Sequence, residues 1–203
     1  LAQCLSEYAG RFAVMDRAPD VSEGASKANS GIVHAGYDAP VGSEKARLNV
    51  KGAGMMPDLC ARLGVPYGNP GAMVLGFDEA DRETLEALNQ NAVRNGVLGC
   101  RMIERDEILE LEPRVNPAVI AALLVPGSGL VSPYELTCAL ADTACENGVE
   151  FLLETEALGL SHTEGVWTVT TSRGAVSARA VVNCAGVLAG ELHNQISTRP
   201  VNI

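Results

Sequence analysis

Basic residues are scarce in this chain: 15 Lys and Arg stand against 25 Asp and Glu, a formal net charge of -10. A nucleic-acid backbone is held by clustered cations, so this balance argues against a nucleic-acid partner. Lys27, Lys45 and Lys51 are scattered and form no stripe. Long apolar runs are missing too. The longest, residues 118–125, falls far short of the roughly 20 residues that a spanning helix needs and reads as a buried strand. No basic stretch followed by an apolar one opens the chain at Leu1-Ala2-Gln3-Cys4, so no signal peptide is visible. Paired cysteines are absent as well. The 6 cysteines, Cys4, Cys60, Cys100, Cys138, Cys145 and Cys184, form no CxxC motif, which disfavours zinc or any other metal site. Cys138 and Cys145 share a helix face, but two turns hold them ~10 Å apart, too far for a disulfide. Each cysteine reads as a small buried hydrophobe in a reducing compartment, and the expected location is cytoplasmic.

What is present is an ordinary globular composition, with 47% hydrophobic and 20% charged residues among 203. That is enough for one core or two small ones. The chain opens on a helical spacing of Leu1, Cys4, Leu5 and Tyr8, stopped at Gly10. The apolar run 11–15 then ends in Asp16. Helix, stop, strand and terminal acid form the second half of a βαβ unit, in which such an acid accepts hydrogen bonds from an adenosine ribose. The first strand and its Gly-rich turn are expected upstream of Leu1.

Residues 21–38, VSEGASKANSGIVHAGYD, are dense in Gly, Ser, Ala and Asn. Such a stretch brings backbone N–H groups and small hydroxyls close to a ligand, although Ile32-Val33 would sit badly in a solvated linker. A helix is expected over 43–64, with a kink or break near Met56 because Pro57 follows. A strand over 70–77 precedes a helix capped by Asp78 that carries Leu85, Leu88 and Ala92 inward and stops at Asn95-Gly96. A short helix over 106–111 is halted by Pro113. Ser132-Pro133-Tyr134-Glu135 has an N-cap, a first-turn proline and the reciprocal acid of a capping box. Beyond Asn147-Gly148 the period changes to two. Strands are expected over 149–153, 156–161, 166–171 and 175–178, with turns at Glu164-Gly165 and Arg173-Gly174. A last apolar strand, 180–184, runs into Ala185-Gly186.

In this order the segments resemble the FAD-dependent oxidoreductases that include D-amino-acid oxidase and glycerol-3-phosphate dehydrogenase. The runs GASKANSGIVHAGYDA (24–39) and KARLNV (45–50) resemble two branches most. These are the anaerobic glycerol-3-phosphate dehydrogenase large subunit and L-2-hydroxyglutarate oxidase. GLVSPYELTCALADTACENGVEF (129–151) and VVNCAG (181–186) are similar to both. The resemblance implies FAD as cofactor. It puts Asp16 at the ribose-binding acid, usually a Glu in the family, and Ser26, Asn29, Ser30 and Gly31 in the loop around the pyrophosphate and flavin. It puts Ala157 where backbone meets adenine, and Ala185 and Gly186 in the turn that closes over the cofactor. His34 becomes the candidate catalytic group, passing the flavin where an imidazole can stabilise negative charge or orient the substrate.

The implied chemistry is hydride removal from a hydroxyl-bearing carbon, with glycerol 3-phosphate as first substrate and L-2-hydroxyglutarate or another 2-hydroxyacid as alternative. Arg101, Arg105 and Arg114 are the natural clamp for an anionic substrate, though each taken alone reads as a solvated surface charge. An NAD-dependent enzyme and a non-catalytic nucleotide-binding module are the competing readings.

The expected fold is α/β: a partial FAD/NAD(P)-binding Rossmann-like domain lacking its first strand and Gly-rich loop, a three-stranded β-meander, and an inserted α+β substrate subdomain. The cofactor domain spans 1–65 and 127–195, the insertion 66–126, and 196–203 begins a further substrate-domain strand. The chain by itself is expected to hold no FAD, to be inactive, and to dimerise through an open sheet edge. A peripheral membrane association of the longer parent protein is also compatible with the sequence.

Overall fold

The computed structural model describes residues 1–201. They form two compact units, one made of Leu1–Ala25 and the chain from Leu140 onward, the other of Ser26–Ala139.

In the first unit, α1 (Ala2–Leu5) leads to β1 (Ala13–Met15), which pairs in parallel with β8 (Glu150–Leu152). Parallel pairing of strands this far apart in sequence is the signature of a crossover connection. The meander follows as an antiparallel sheet in the order β11-β10-β9, built from β9 (Ala157–Thr163), β10 (Val166–Thr171) and β11 (Gly174–Ala178). Its first turn places Glu164 at φ 50° and Gly165 at φ 80°, the doubly left-handed geometry of a two-residue hairpin loop. His162 and Trp167 face each other across that hairpin with ring centroids 4.7 Å apart. The unit ends in a short 3-10 turn (Gly186–Leu188) and α6 (Ala189–Asn194).

The second unit holds two three-stranded sheets. One is β2 (Ile32–Val33), β7 (Gly129–Val131) and β3 (Tyr67–Gly68), with β7 central. The other is β4 (Ala72–Gly76), β6 (Ala121–Val125) and β5 (Arg101–Glu104), with β6 central. Alternation along β6 explains two clusters. Ala121, Leu123 and Val125 pack with Leu85 and Ala92 of α3 (Glu79–Asn95), while Ala122 packs with Ile103 and with Ile108 of α4 (Arg105–Leu111). The strand is therefore apolar throughout because both of its faces are covered.

Local capping sets the helices. Asp78 accepts from the Asp81 amide at 2.8 Å, and Gly96 ends α3 in the left-handed region. Ser132 Oγ accepts from the Glu135 amide at 3.3 Å to start α5 (Pro133–Glu146). Ser43 does the same for α2 (Glu44–Leu63), which closes on Gly64.

Four expectations are corrected. No break occurs at Pro57: α2 is continuous over 20 residues. An interior proline costs about 3 kcal/mol, but here both ends are capped and each half is anchored by a buried residue, Ala46 before the proline and Cys60 after it. The opening helix stops at Leu5, since Leu1 and Tyr8 find no core and are 64% and 71% exposed. Residues 180–184 form no strand, because a strand exists only through a partner and none of the described residues pairs with them. Finally, only Cys60 is buried, while Cys4, Cys145 and Cys184 are exposed, and all 6 are free. No helix among the described residues is long and apolar enough to cross a membrane.

The Ser132 cap is testable. Ser132→Ala should lower stability by ~0.5–2 kcal/mol, read as a lower denaturant midpoint at constant slope. An unmoved midpoint would show that the hydroxyl contributes nothing to the start of α5.

Candidate functional site

Two groups of expected site residues emerge, one in each unit. In the first unit, parallel pairing carries Asp16 to the end of β1 and the segment after β8 alongside it. The Asp16 amide donates to the Leu152 carbonyl at 3.1 Å, its own carbonyl accepts from the Thr155 amide at 2.8 Å, and the Glu154 amide reaches the Ala18 carbonyl at 2.9 Å. Asp16 is thus held beside the entry to β9, where Ala157 is the first residue. Oδ1 of its carboxylate accepts from the Ala18 amide at 2.9 Å, an Asx turn that fixes the side chain at an exposed position.

Ala185 and Gly186 lie at the 3-10 turn, with Gly186 at φ +56°. Asn183 organises this turn: its Oδ1 accepts from the Ala185 amide at 3.2 Å and its Nδ2 donates to the Ala189 carbonyl at 2.8 Å. No described hydrogen bond ties Ala185 or Gly186 to Asp16.

In the second unit a cleft of about 410 Å³ gathers Ser26, Asn29, Gly31 and His34, but not Ser30. Val131, Pro133, Leu136 and Thr137 form a second wall, and Asn49, Gly52, Ala53 and Met56 of α2 a third. Asn29 shapes the loop, accepting from the Gly31 amide at 2.9 Å. The Gly31 carbonyl in turn accepts from the Val131 amide at 3.0 Å, one step before β2 and β7 pair. Gly31 has φ +69°, and a Cβ there would lie 2.3 Å from the Val131 carbonyl oxygen. Only glycine permits this approach.

His34 is exposed in the cleft, and no described hydrogen bond engages its ring. Thr137, by contrast, spends its hydroxyl on the Pro133 carbonyl at 2.7 Å. The α2 wall went unnoticed in the sequence; its only signal is that Asn49, Gly52, Ala53 and Met56 repeat at helical spacing with small residues in the middle.

The profile of the FAD dependent oxidoreductase family, DAO, matches residues 1–202. The chain belongs to that family. Within the FAD dependent oxidoreductases it is 35% identical over 203 residues to a glycerol 3-phosphate dehydrogenase of Caloramator mitchellensis, covering 100% of this chain and 42% of that one. It is 30% identical over 173 residues to the L-2-hydroxyglutarate dehydrogenase of Escherichia coli K12, covering 85% and 40%. In structure it matches the FAD-bound, dithionite-reduced L-alpha-glycerophosphate oxidase of Mycoplasma pneumoniae with a TM-score of 0.91 at 27% identity, covering 96% of this chain and 52% of that one. The chain thus spans about half the length of these relatives.

The three arginines expected to clamp an anionic substrate do not line the cleft. Arg101 makes a two-point ion pair with Glu107, whose carboxyl the guanidinium hydrogen bond holds below its ordinary range. Arg105 donates to the Pro117 carbonyl at 3.1 Å, and Arg114 is exposed. A cluster that could hold a metal ion is absent among the described residues.

Gly31 offers a clean test of the loop. Gly31→Ala adds a contact at 2.3 Å to an unfavourable φ, whereas Gly24→Ala, at φ +65° with nothing within 4 Å, meets only the backbone cost of about 1–2 kcal/mol. Gly31→Ala should therefore lower the denaturation midpoint clearly more than Gly24→Ala. Equal midpoints would mean that the loop does not approach β7 this closely.

Proposed function

We propose that this chain contributes the cofactor and proton-handling parts of a flavoprotein that oxidises a small anionic hydroxyl compound, with glycerol 3-phosphate as substrate. The observation that carries this reading is the cleft in which His34, whose ring makes no hydrogen bond among the described residues, stands beside Ser26, Asn29 and Gly31. Its volume of about 410 Å³ falls in the range of small-molecule sites. The residues fit a flavin ring. Gly52, where a Cβ would meet nothing within 4 Å, leaves room for a flat group to approach the backbone, Val33, Met56 and Leu136 supply apolar cover, and His34 and Asn49 supply polar contacts. The first turn of α5 borders the cleft, so its dipole favours negative charge there.

Bound FAD supplies the two-electron acceptor. The chain's own groups divide the remaining tasks. Asp16 accepts from the ribose hydroxyls with the carboxylate oxygen that its Asx turn leaves open, and the backbone at Ala157 meets the adenine. Ser26, Asn29, Ser30 and Gly31 follow the pyrophosphate and ring, and Ala185 and Gly186 close the turn over the cofactor. His34 takes the substrate hydroxyl proton on a ring nitrogen as the C–H bond breaks.

In domain terms, residues 1–65 and 127–195 serve the cofactor, and 66–126, which contain the β4-β6-β5 sheet, form the substrate-side insertion. A cytoplasmic location accords with 6 free cysteines. L-2-hydroxyglutarate is the second substrate reading, supported by the 30% identity to the Escherichia coli dehydrogenase.

The full-length protein that carries this chain should purify with flavin absorbance in the blue and reduce that flavin with glycerol 3-phosphate faster than with L-2-hydroxyglutarate. His34→Ala should keep the flavin spectrum and lose ~10²–10⁴-fold in kcat. A colourless protein that takes up no FAD would overturn the reading, and an active His34→Ala enzyme would remove the histidine from it.

A further inference from the structure

The meander of the first unit has an edge strand with an uncommon covering. β9 lies outermost in the order β11-β10-β9, so one row of its backbone groups faces away from the sheet. It is the longest strand among the described residues, and its 7 residues, ALGLSHT, include no Asp, Glu, Lys, Arg or Pro. Charges and prolines are the usual means by which an edge is kept from pairing with another chain. Here one side chain stands on the edge instead. Gln195 Oε1 accepts from the Leu160 amide at 3.2 Å, and its Nε2 donates to the Leu158 carbonyl at 3.4 Å. A neighbouring strand would pair with the same two groups.

Gln195 is held in place by its own backbone. It closes α6, with its amide on the Leu192 carbonyl at 3.4 Å, and the amides of Ile196 and Ser197 both fold back to the His193 carbonyl. The chain that follows is engaged elsewhere. Asn194 grips Val201 at both backbone groups, donating from Nδ2 to its carbonyl at 2.9 Å and accepting at Oδ1 from its amide at 2.8 Å. Val201 therefore has no free pair of groups to offer β9. The two bonds of Gln195 are long for their kind, so this contact is one that can open. A second copy of β9 is the strand best suited to displace it, because neither strand brings a carboxylate, ammonium or guanidinium against its own kind.

We propose that the Gln195 carboxamide is an edge plug: it takes the place of a fourth strand on β9 and keeps two copies of the protein from pairing through their meanders. Pairing of two β9 strands about a two-fold axis has to remove a plug from each copy, so the contact acts twice in every dimer that it prevents. β9 is then a docking edge for an extended strand, closed for as long as Gln195 stays on it. This holds whatever the cleft of the second unit binds.

Removing the plug tests the idea in the full-length protein that carries this chain. In Gln195→Ala the Leu160 amide should exchange about five-fold faster, the worth of one hydrogen bond, and dimers should form at about 25-fold lower concentration, because two plugs are gone. Sedimentation velocity over a concentration series reads the second effect. Adding Ser161→Lys sets a cation on the exposed edge strand, so the double variant should return to wild-type association while its Leu160 amide stays fast. Gln195→Glu keeps the acceptor for that amide and brings a charge of its own, so it should keep both the wild-type exchange and the wild-type mass. A Gln195→Ala protein that exchanges fast yet associates no more readily than wild type would overturn the proposal. So would unchanged exchange at Leu160 in that variant, association that survives Ser161→Lys, or a Gln195→Glu protein that dimerises as readily as Gln195→Ala.

Discussion

The close approach of Gly31 to Val131 sets the geometry of the second unit's cleft. An extended partner is already present in β7, and the loop after Asn29 reaches it only because Gly31 holds φ +69° with no Cβ, an atom that would lie 2.3 Å from the Val131 carbonyl oxygen. From that contact β2 pairs in register, with Ile32 opposite Leu130 and Val33 opposite Gly129. Pairing then sets His34, one residue past the strand, in the same cleft as Pro133 at the start of α5. Without it, a segment so rich in Gly, Ser and Asn has too little apolar surface to order itself.

Central β7 carries a second close approach of the same kind. A Cβ on Gly129 would fall 2.1 Å from the Tyr67 hydroxyl, so the tyrosine ring of the neighbouring strand β3 occupies the space that a side chain on β7 would fill. Burial, with Cys60 nearby, raises the Tyr67 hydroxyl above its ordinary range. Glycines at two close approaches, Gly31 just before β2 and Gly129 on β7, let the three short strands come together. This economy leaves the larger apolar core to the β4-β6-β5 sheet, where β6 is covered on both faces.

Features that depend on neighbours in sequence were legible from the chain alone. The caps at Asp78 and Ser132 act within three residues, and the meander announced itself by its period and its Gly turns. Strand β6 was readable because two buried faces demand an unbroken apolar run. Features that depend on distant partners were not. Residues 180–184 have the composition of a buried strand, yet Val182 is 62% exposed and nothing among the described residues pairs with the segment. The cysteines followed the same rule, since their burial is decided by packing and not by residue type. In the candidate cleft, Ser26, Asn29 and Gly31 had been singled out by the family resemblance, in a stretch whose Gly, Ser and Asn already suggest close backbone approach. Asn49, Gly52, Ala53 and Met56 were invisible because each is unremarkable on a helix, and Pro57 read as a kink or a break although α2 runs on through it.

Asn95, the last residue of α3, donates from Nδ2 to two carbonyls at once, those of Gly36 at 2.9 Å and Ala39 at 2.8 Å. A helix end ordinarily frays on its own, and a chain segment leaving a ligand loop ordinarily loosens on its own. Here neither can do so without releasing two buried carbonyls, because Ala39 and Gly36 are shut away from solvent. The final turn of α3 and the exit of the His34 loop therefore open as one event. Amide exchange at the two places should rise and fall together, because the buried carbonyls of Gly36 and Ala39 lose their donor whenever Asn95, 59 residues beyond Gly36, lets go.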